Sequence, residues 1–488
     1  MHNNWIFQAI LIFILLNTIV ALVTVFHRRR SIISTLAWLL VLTLLPGIGF
    51  IIFGFFGRGI AHENMFTIGH EEHVGLDRLK NLVRKYKAKK RPKDPNESTD
   101  YAAHQIRFFN NSEDAPLAVH NETQIFTDGK AKFRALFKDC ENAKETINIE
   151  YYSFINDRLG NKFVNLLTKK TKQGVTIHVL YDRWGSAGAD KKFFKPLTDA
   201  GGEVMPFITS QNAVTRYRLN YHLHRKIVVI DGNIGWTGGF NVGDQYVGES
   251  KKFGYWRDTH VRIHGYAVLS LQERFVLDWN ASSAKHYSKI EFSDKYFPTK
   301  IEDVTNITPI QIVSDGPQSD HDTLKGGFIS FILNAKKSVK IQTPYLIPDD
   351  SMIDALLVAA RSGLKIDIMI PCMPDHPFIY RATQYYANLL TQNGINIYIY
   401  NNGFLHAKTA IFDNKVGAIG SMNQDYRSYD LNFEADAFIY DKRVAQQMTD
   451  IYSHDIQKST LLTQDIIDKQ SYWLRFKQLF SRLLSPIL

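Results

Sequence analysis

Cysteine is scarce in this chain: Cys140 and Cys372 are its two in 488 residues, and neither belongs to a CxxC pair or a Cys/His zinc spacing. A disulfide framework and a cysteine-based metal centre are thereby excluded, and both thiols are expected to be free and buried. No G-x4-G-K-[ST] run is present, so the loop that commonly cradles nucleotide phosphates is missing. His70 and His73 in GHEEHVG come nearest to a metal cluster, yet no further ligand stands at a workable spacing, and a solvated loop is expected there. Neither a metal nor a cofactor is expected. Acidic residues fall short of basic ones, 48 against 58, for a net charge of +10 and a pI near 9.2. That balance suits an anionic partner: nucleic acid, a membrane surface or a phosphate-bearing substrate.

Charge is missing altogether from two long stretches. Residues 5–26 run for 22 positions without one, long enough to span a bilayer. Residues 31–56 form the second, interrupted by Pro46, Gly47 and Gly49. The start, MHNN, lacks the positive region of a signal peptide and no small-x-small cleavage site follows. Two retained transmembrane helices are therefore expected within residues 1–60, the second kinked or re-entrant at LPGIGF, making a multi-pass protein of the cell membrane. Orientation stays open: Arg28 to Arg30 favour a cytoplasmic loop, whereas the basic run at 78–93 would hold the rest of the chain inside. Residues 61–117 read as a basic linker, either a solvated helix or a segment drawn to anionic headgroups by about 1 kcal/mol per basic residue.

Beyond the linker the chain repeats itself. ENAKETINIEYYSF (141–154) parallels LNAKKSVKIQTPYL (333–346), and GVTIHVLYD (174–182) parallels GLKIDIMIP (363–371). Strands alternating with helices predict two homologous α/β halves, 118–300 and 301–460, each a mixed, mostly parallel sheet flanked by helices. In YHLHRKIVVIDGNIGWTGGFN (221–241), the run Ile227 to Ile230 predicts a buried strand closed by a turn at Asp231-Gly232. His224 and Lys226 stand two residues apart and so share a strand face. LHAKTAIFDNKVGAIGSMN (405–423) repeats the pattern, with His406, Lys408, Asp413, Gly420 and Asn423 each 182 positions beyond His224, Lys226, Asp231, Gly238 and Asn241. Core packing would preserve the apolar positions, but not the histidine, lysine and asparagine.

H-x-K-x4-D followed by G-x-x-N, twice in one chain, resembles the phospholipase D superfamily over residues 120–460. GGFNVGDQY, with Gly239 where many members carry serine, together with IPCMPDHPFIY (370–380) and GFLHAK (403–408), resembles the bacterial cardiolipin synthases in particular. The resemblance implies a membrane-bound phosphatidyltransferase that joins two phosphatidylglycerols into cardiolipin and releases glycerol. Its partners would be phosphatidylglycerol and anionic membrane lipids, with no nucleic acid, and the oligomeric state stays open. The alternative is a phosphodiesterase of the same type, hydrolysing phospholipid or nucleic acid; a catalytically dead scaffold is disfavoured by two intact motifs.

Such chemistry wants two imidazoles facing each other across one phosphate, one attacking phosphorus and the other trading protons with the leaving and incoming hydroxyls. The resemblance makes His224, Lys226, Asp231, His406, Lys408 and Asp413 the catalytic set, with His224 the nucleophile and His406 the acid and base. Lys226 and Lys408, with Asn241 and Asn423 in support, would stabilise the pentacoordinate charge, where losing one donor typically costs about 3–4 kcal/mol. Asp231 and Asp413 lie an odd number of residues from their histidines, which suits pinning the turn. By resemblance the acids that orient the imidazoles come from the opposite half: Glu434 for His224 and Asp258 for His406. An ordinary surface salt bridge is the alternative for both. Finally, residues 461–488 predict an amphipathic helix, with Trp473, Phe476, Leu479, Phe480 and Leu483 at helical spacing beside Arg475, Lys477 and Arg482. It would either lie in a membrane interface or pack on the second half.

Overall fold

The computed structural model describes residues 3–26, 32–56, 97–113, 115–211, 220–283, 287, 289–301, 304, 306–317, 319 and 322–485. The loop of His70 and His73, the basic run at 78–93 and Arg28 to Arg30 lie outside these residues.

Residues 3–56 fall in one compact unit, which also takes in residues 209–211, 220 and 221. Helix Asn3–Phe26 is followed by Ile32–Leu44 and Ile48–Phe56. Ala21, Leu42 and Phe53 form their small core, and Asn17 Nδ2 donates to the Leu42 carbonyl at 2.8 Å. Among the described residues no helix is long and apolar enough to cross a membrane, which corrects the expected pair of transmembrane helices. The second uncharged stretch breaks at Pro46–Gly47, where Gly47 takes φ 76°. Its pieces of 13 and 9 residues rise only about 20 and 14 Å, short of the ~30 Å hydrocarbon core.

In the second unit, strand Lys226–Ile230 is buried at every position. Both of its faces are covered by core, so alternation gives way to a continuous apolar run. Asp231 and Gly232 turn the chain with φ of 50° and 65°, values that aspartate and glycine tolerate. The chain returns antiparallel as Ile234–Gly238. Across the first half the sheet runs Glu203–Pro206, Thr176–Tyr181, Thr146–Tyr151, Lys226–Ile230, Ile234–Gly238, His260–Gly265, Ala118–Phe126. The second half mirrors it: Ile307–Asp315, Asn432–Ile439, Val416–Gly420, Thr409–Phe412, Ser338–Gln342, Lys365–Pro371, Asn396–Tyr400, with Ser459–Leu461 added at the edge. Ala118–Phe126 pairs antiparallel with Ile307–Asp315, so one sheet crosses both halves.

The sheet is mixed but not mostly parallel. Along this path the pairs are parallel among the three strands joined by helical crossovers in each half. The hairpins and the seam are antiparallel. A tight turn can only reverse a strand, and the turns at Asp231 and Asp413 sit in the middle of each half. Each half keeps its own apolar core, around Phe154, Phe163 and Trp236 in the first and Phe331, Phe412 and Phe438 in the second.

Candidate active site

Two short strands carry the chain from one half onto the other. His222–Leu223 pairs in parallel with Asn432 and Phe433, and Phe404–Leu405 pairs in parallel with Trp256–Arg257. The next backbone bonds continue the register: His224 N donates to the Phe433 carbonyl (2.9 Å) and His406 N to that of Arg257 (2.7 Å). Each histidine is thereby set beside the next residue of the opposite half. Glu434 lies 2.8 Å from His224 Nδ1, and Asp258 lies 2.6 Å from His406 Nδ1. Both carboxylates are fully buried, which rules out the surface salt bridge. With Nδ1 engaged, each imidazole presents Nε2 to whatever enters the site.

The two carboxylates are held differently. Glu434 accepts from the hydroxyls of Ser421 and Ser428. Asp258 accepts from Thr259 N (2.7 Å) and weakly from Trp256 Nε1 (3.4 Å). Ser421 occupies, at the offset of 182, the place of Gly239 in the first half. A Cβ at Gly239 would overlap Asp258 Oδ1, so the glycine there makes room for the carboxylate itself.

Lys226 and Lys408 are both buried. Lys226 Nζ donates to the His224 carbonyl; Lys408 Nζ donates to the His406 carbonyl at 2.6 Å and lies 2.9 Å from its Nδ1. Burial, then Lys226, Lys408 and His406, push the His224 pKa well below the usual histidine range. Groups from both halves therefore act on one imidazole. Burial and then Lys408 push His406 down to about 4. Burial also brings Lys226 to about 7 and Lys408 to about 8, against the pull of Glu434 and Asp258 respectively. Glu434 is pushed up to about 7 by burial, which Lys226 opposes. Burial would raise Asp258 as well, but His406 and Lys408 hold it below the ordinary carboxylate range.

The remaining expected residues divide. Asn241 and Asn423 are buried; Asn241 Oδ1 accepts from Ser153 N at 3.1 Å, and Asn423 N bonds Ser428 Oγ. Asp231 and Asp413 stand at the far strand ends. Asp231 accepts from the amides of Lys144, Glu145 and Thr146, and Asp413 from those of Lys336, Lys337 and Ser338.

Three contributors were not anticipated. Tyr152 packs edge-on against His224, 5.3 Å between ring centroids. Arg225, fully buried behind His224, donates to Asp278 Oδ2 (2.5 Å) and to the carbonyls of Glu434 (3.0 Å) and Asp315 (2.9 Å). On the opposite side Arg257 bonds Asp455 (2.9 Å), Thr259 Oγ1 (2.9 Å) and the Asp258 carbonyl. Arg225 was visible as the charged residue between His224 and Lys226, where the repeat has Ala407. Among the described residues no group of three metal-ligating side chains is present.

Comparison with known proteins gives the family. The family profile "Cardiolipin synthase, PLD-like domain" matches residues 136–253 and 328–456, and "Phospholipase D-nuclease N-terminal" matches 15–58. A cardiolipin synthase of Listeria monocytogenes is 44% identical over 98% of both chains. One of Staphylococcus aureus is 42% identical over 100% of this chain and 98% of its own. The crystal structure of a phosphatidylserine synthase from Haemophilus influenzae superposes with a TM-score of 0.61 at 13% identity, covering 79% of this chain and all of that one, a likeness of fold. The chain belongs to the cardiolipin synthases of the phospholipase D superfamily, a family of phosphatidyltransferases.

Proposed function

We propose that this membrane-associated enzyme joins two phosphatidylglycerols through a phosphohistidine, with His224 as nucleophile and His406 as acid and base. The crossed pairing His224–Glu434 and His406–Asp258 carries the reading, because it engages each Nδ1 with a carboxylate of the opposite half and leaves Nε2 for the reaction, while His406 and Lys408 act on His224 from across the halves. His224 Nε2 attacks phosphorus of the first lipid, and the bond to its terminal glycerol breaks. His406 delivers a proton to the departing glycerol oxygen. The terminal hydroxyl of a second phosphatidylglycerol then attacks phosphorus, His406 takes its proton, and His224 is released.

A neutral His224 suits attack, and burial with two nearby lysines keeps it neutral. A bound phosphodiester anion offsets the charge of Lys408, which otherwise holds His406 down, so substrate binding draws a proton onto His406. Lys226 and Lys408 bring positive charge to the non-bridging oxygens as the pentacoordinate state forms. Full-length protein in phosphatidylglycerol vesicles, without nucleotide and with chelator, tests the reading by mass spectrometry. Cardiolipin and glycerol appearing in equal amounts, and absent with His224→Ala, is the expected result. Phosphatidic acid with glycerol instead would make the enzyme a hydrolase.

A further inference from the structure

The helix Tyr472–Leu483 is docked by its polar side. Gln478 and Ser481 are buried, and Gln478 joins Gln470 and Asn388 of helix Pro377–Thr391 in a network of amide bonds of 3.0–3.2 Å. Ser485 accepts from Tyr386 at 3.3 Å. The apolar side faces away from the protein: Tyr472, Trp473, Phe476, Leu479, Phe480 and Leu483 are between 48% and 92% exposed. At about 100° per residue, these six fall within an arc of about 120°, opposite the docked side. Arg475 and Arg482 flank the arc on one edge and Lys477 on the other, with Lys477 Nζ 5.2 Å above the Trp473 ring.

An outward stripe of this kind marks a partner site. Residues 471–485 contain no acidic side chain. A second copy meeting this face about a twofold axis would therefore set basic edge against basic edge. A plane of anionic headgroups instead meets both basic edges with opposite charge, while the rings and leucines enter the acyl boundary. We propose that this helix lies in the interface of an anionic bilayer and orients the catalytic unit on it. The order of contacts supports the orientation. Asn388 meets Gln470 and Gln478, whereas Tyr385 and Tyr386 meet Arg482 and Ser485, so the two helices run antiparallel. The last turn thus points toward the Pro377 end. There Phe378 is 53% exposed, and Asp375, in the preceding loop, accepts from Tyr345 and acts on Lys408.

The inference is independent of which histidine is the nucleophile. Its test uses full-length Leu479→Cys in a Cys372→Ser background, labelled with an environment-sensitive fluorophore; Cys140 is buried. In phosphatidylglycerol/phosphatidylethanolamine vesicles, the emission is expected to shift to the blue and to be quenched by lipids brominated on their acyl chains. Emission as in water without quenching overturns the proposal, as does a blue shift that depends only on protein concentration, which would mean a second copy. A Phe476→Glu/Phe480→Glu variant is expected to lose about tenfold in rate on vesicles and to keep its rate on monomeric short-chain phosphatidylglycerol. Unchanged rates on both substrates, or equal losses on both, would also overturn it.

Discussion

The amide of His224 donates to the carbonyl of Phe433 at 2.9 Å, and that bond sets the imidazole beside Glu434, the next residue of the other half. The same step, from His406 to Arg257, brings Asp258 to the second imidazole. Backbone register delivers the carboxylates, so side-chain changes at these acids alter chemistry more than position.

Glu434→Gln and Asp258→Asn keep side-chain size but lose the group that fixes the imidazole tautomer. Each is expected to lower kcat by about 10²–10⁴-fold with little change in melting temperature. Cardiolipin formation on vesicles, read beside a thermal melt, checks this.

The two histidines differ in what they leave behind. With a phosphatidyl ester of a good leaving group such as nitrophenol, His406→Ala is expected to accumulate a phosphatidyl-protein adduct at His224. His224→Ala is expected to give none. Acid-labile, base-stable label mapped to peptide 221–230 would establish the assignment, and the reverse pattern would exchange the roles.

Lysine loses its charge as pH rises through its pKa. Lys226 at about 7 and Lys408 at about 8 therefore predict that kcat/KM for phosphatidylglycerol falls as pH rises through that interval. A profile that stays flat toward about pH 10, the ordinary lysine range, would contradict it.

Arg225→Met removes a fully buried guanidinium, takes one of two arginines from Asp278 and deprives the carbonyls of Glu434 and Asp315 of its bonds. Arg274 still reaches Asp278 at 2.7 Å. The expected loss is about 3–5 kcal/mol in denaturant unfolding, as for other buried pairs deprived of one partner.

Asp413→Ala frees three backbone amides at a strand end and puts alanine at φ 51°. Stability is expected to fall by about 2 kcal/mol, while kcat per folded molecule falls less than in Glu434→Gln. Denaturation curves paired with active-fraction assays separate the two effects.

Much of this site was legible because chemistry repeats at a fixed offset. His224 with Lys226 and His406 with Lys408 stand out as polar pairs on apolar strands. The odd spacing of Asp231 and Asp413 also pointed to the turns that their carboxylates now hold. The partnership of Glu434 with His224 was readable only through family resemblance, since no local pattern links residues 210 positions apart. Strand direction was not legible: alternating helices suggested parallel pairing, but hairpins and the seam between halves decide most neighbours. The interruption at Pro46 and Gly47 was legible in residues 31–56, but not that it leaves two separate helices of 13 and 9 residues in place of one kinked span. Arg225 escaped notice because its partners come from three distant segments.

The exchange of carboxylates between halves also bears on biosynthesis. A nascent chain that has emerged only through residue 300 carries His224 without Glu434, an unguided imidazole. Its carboxylate partner arrives only when strand Asn432–Ile439 has been made and its first residues pair with His222–Leu223. On the proposed mechanism, reactivity is withheld until translation is nearly finished.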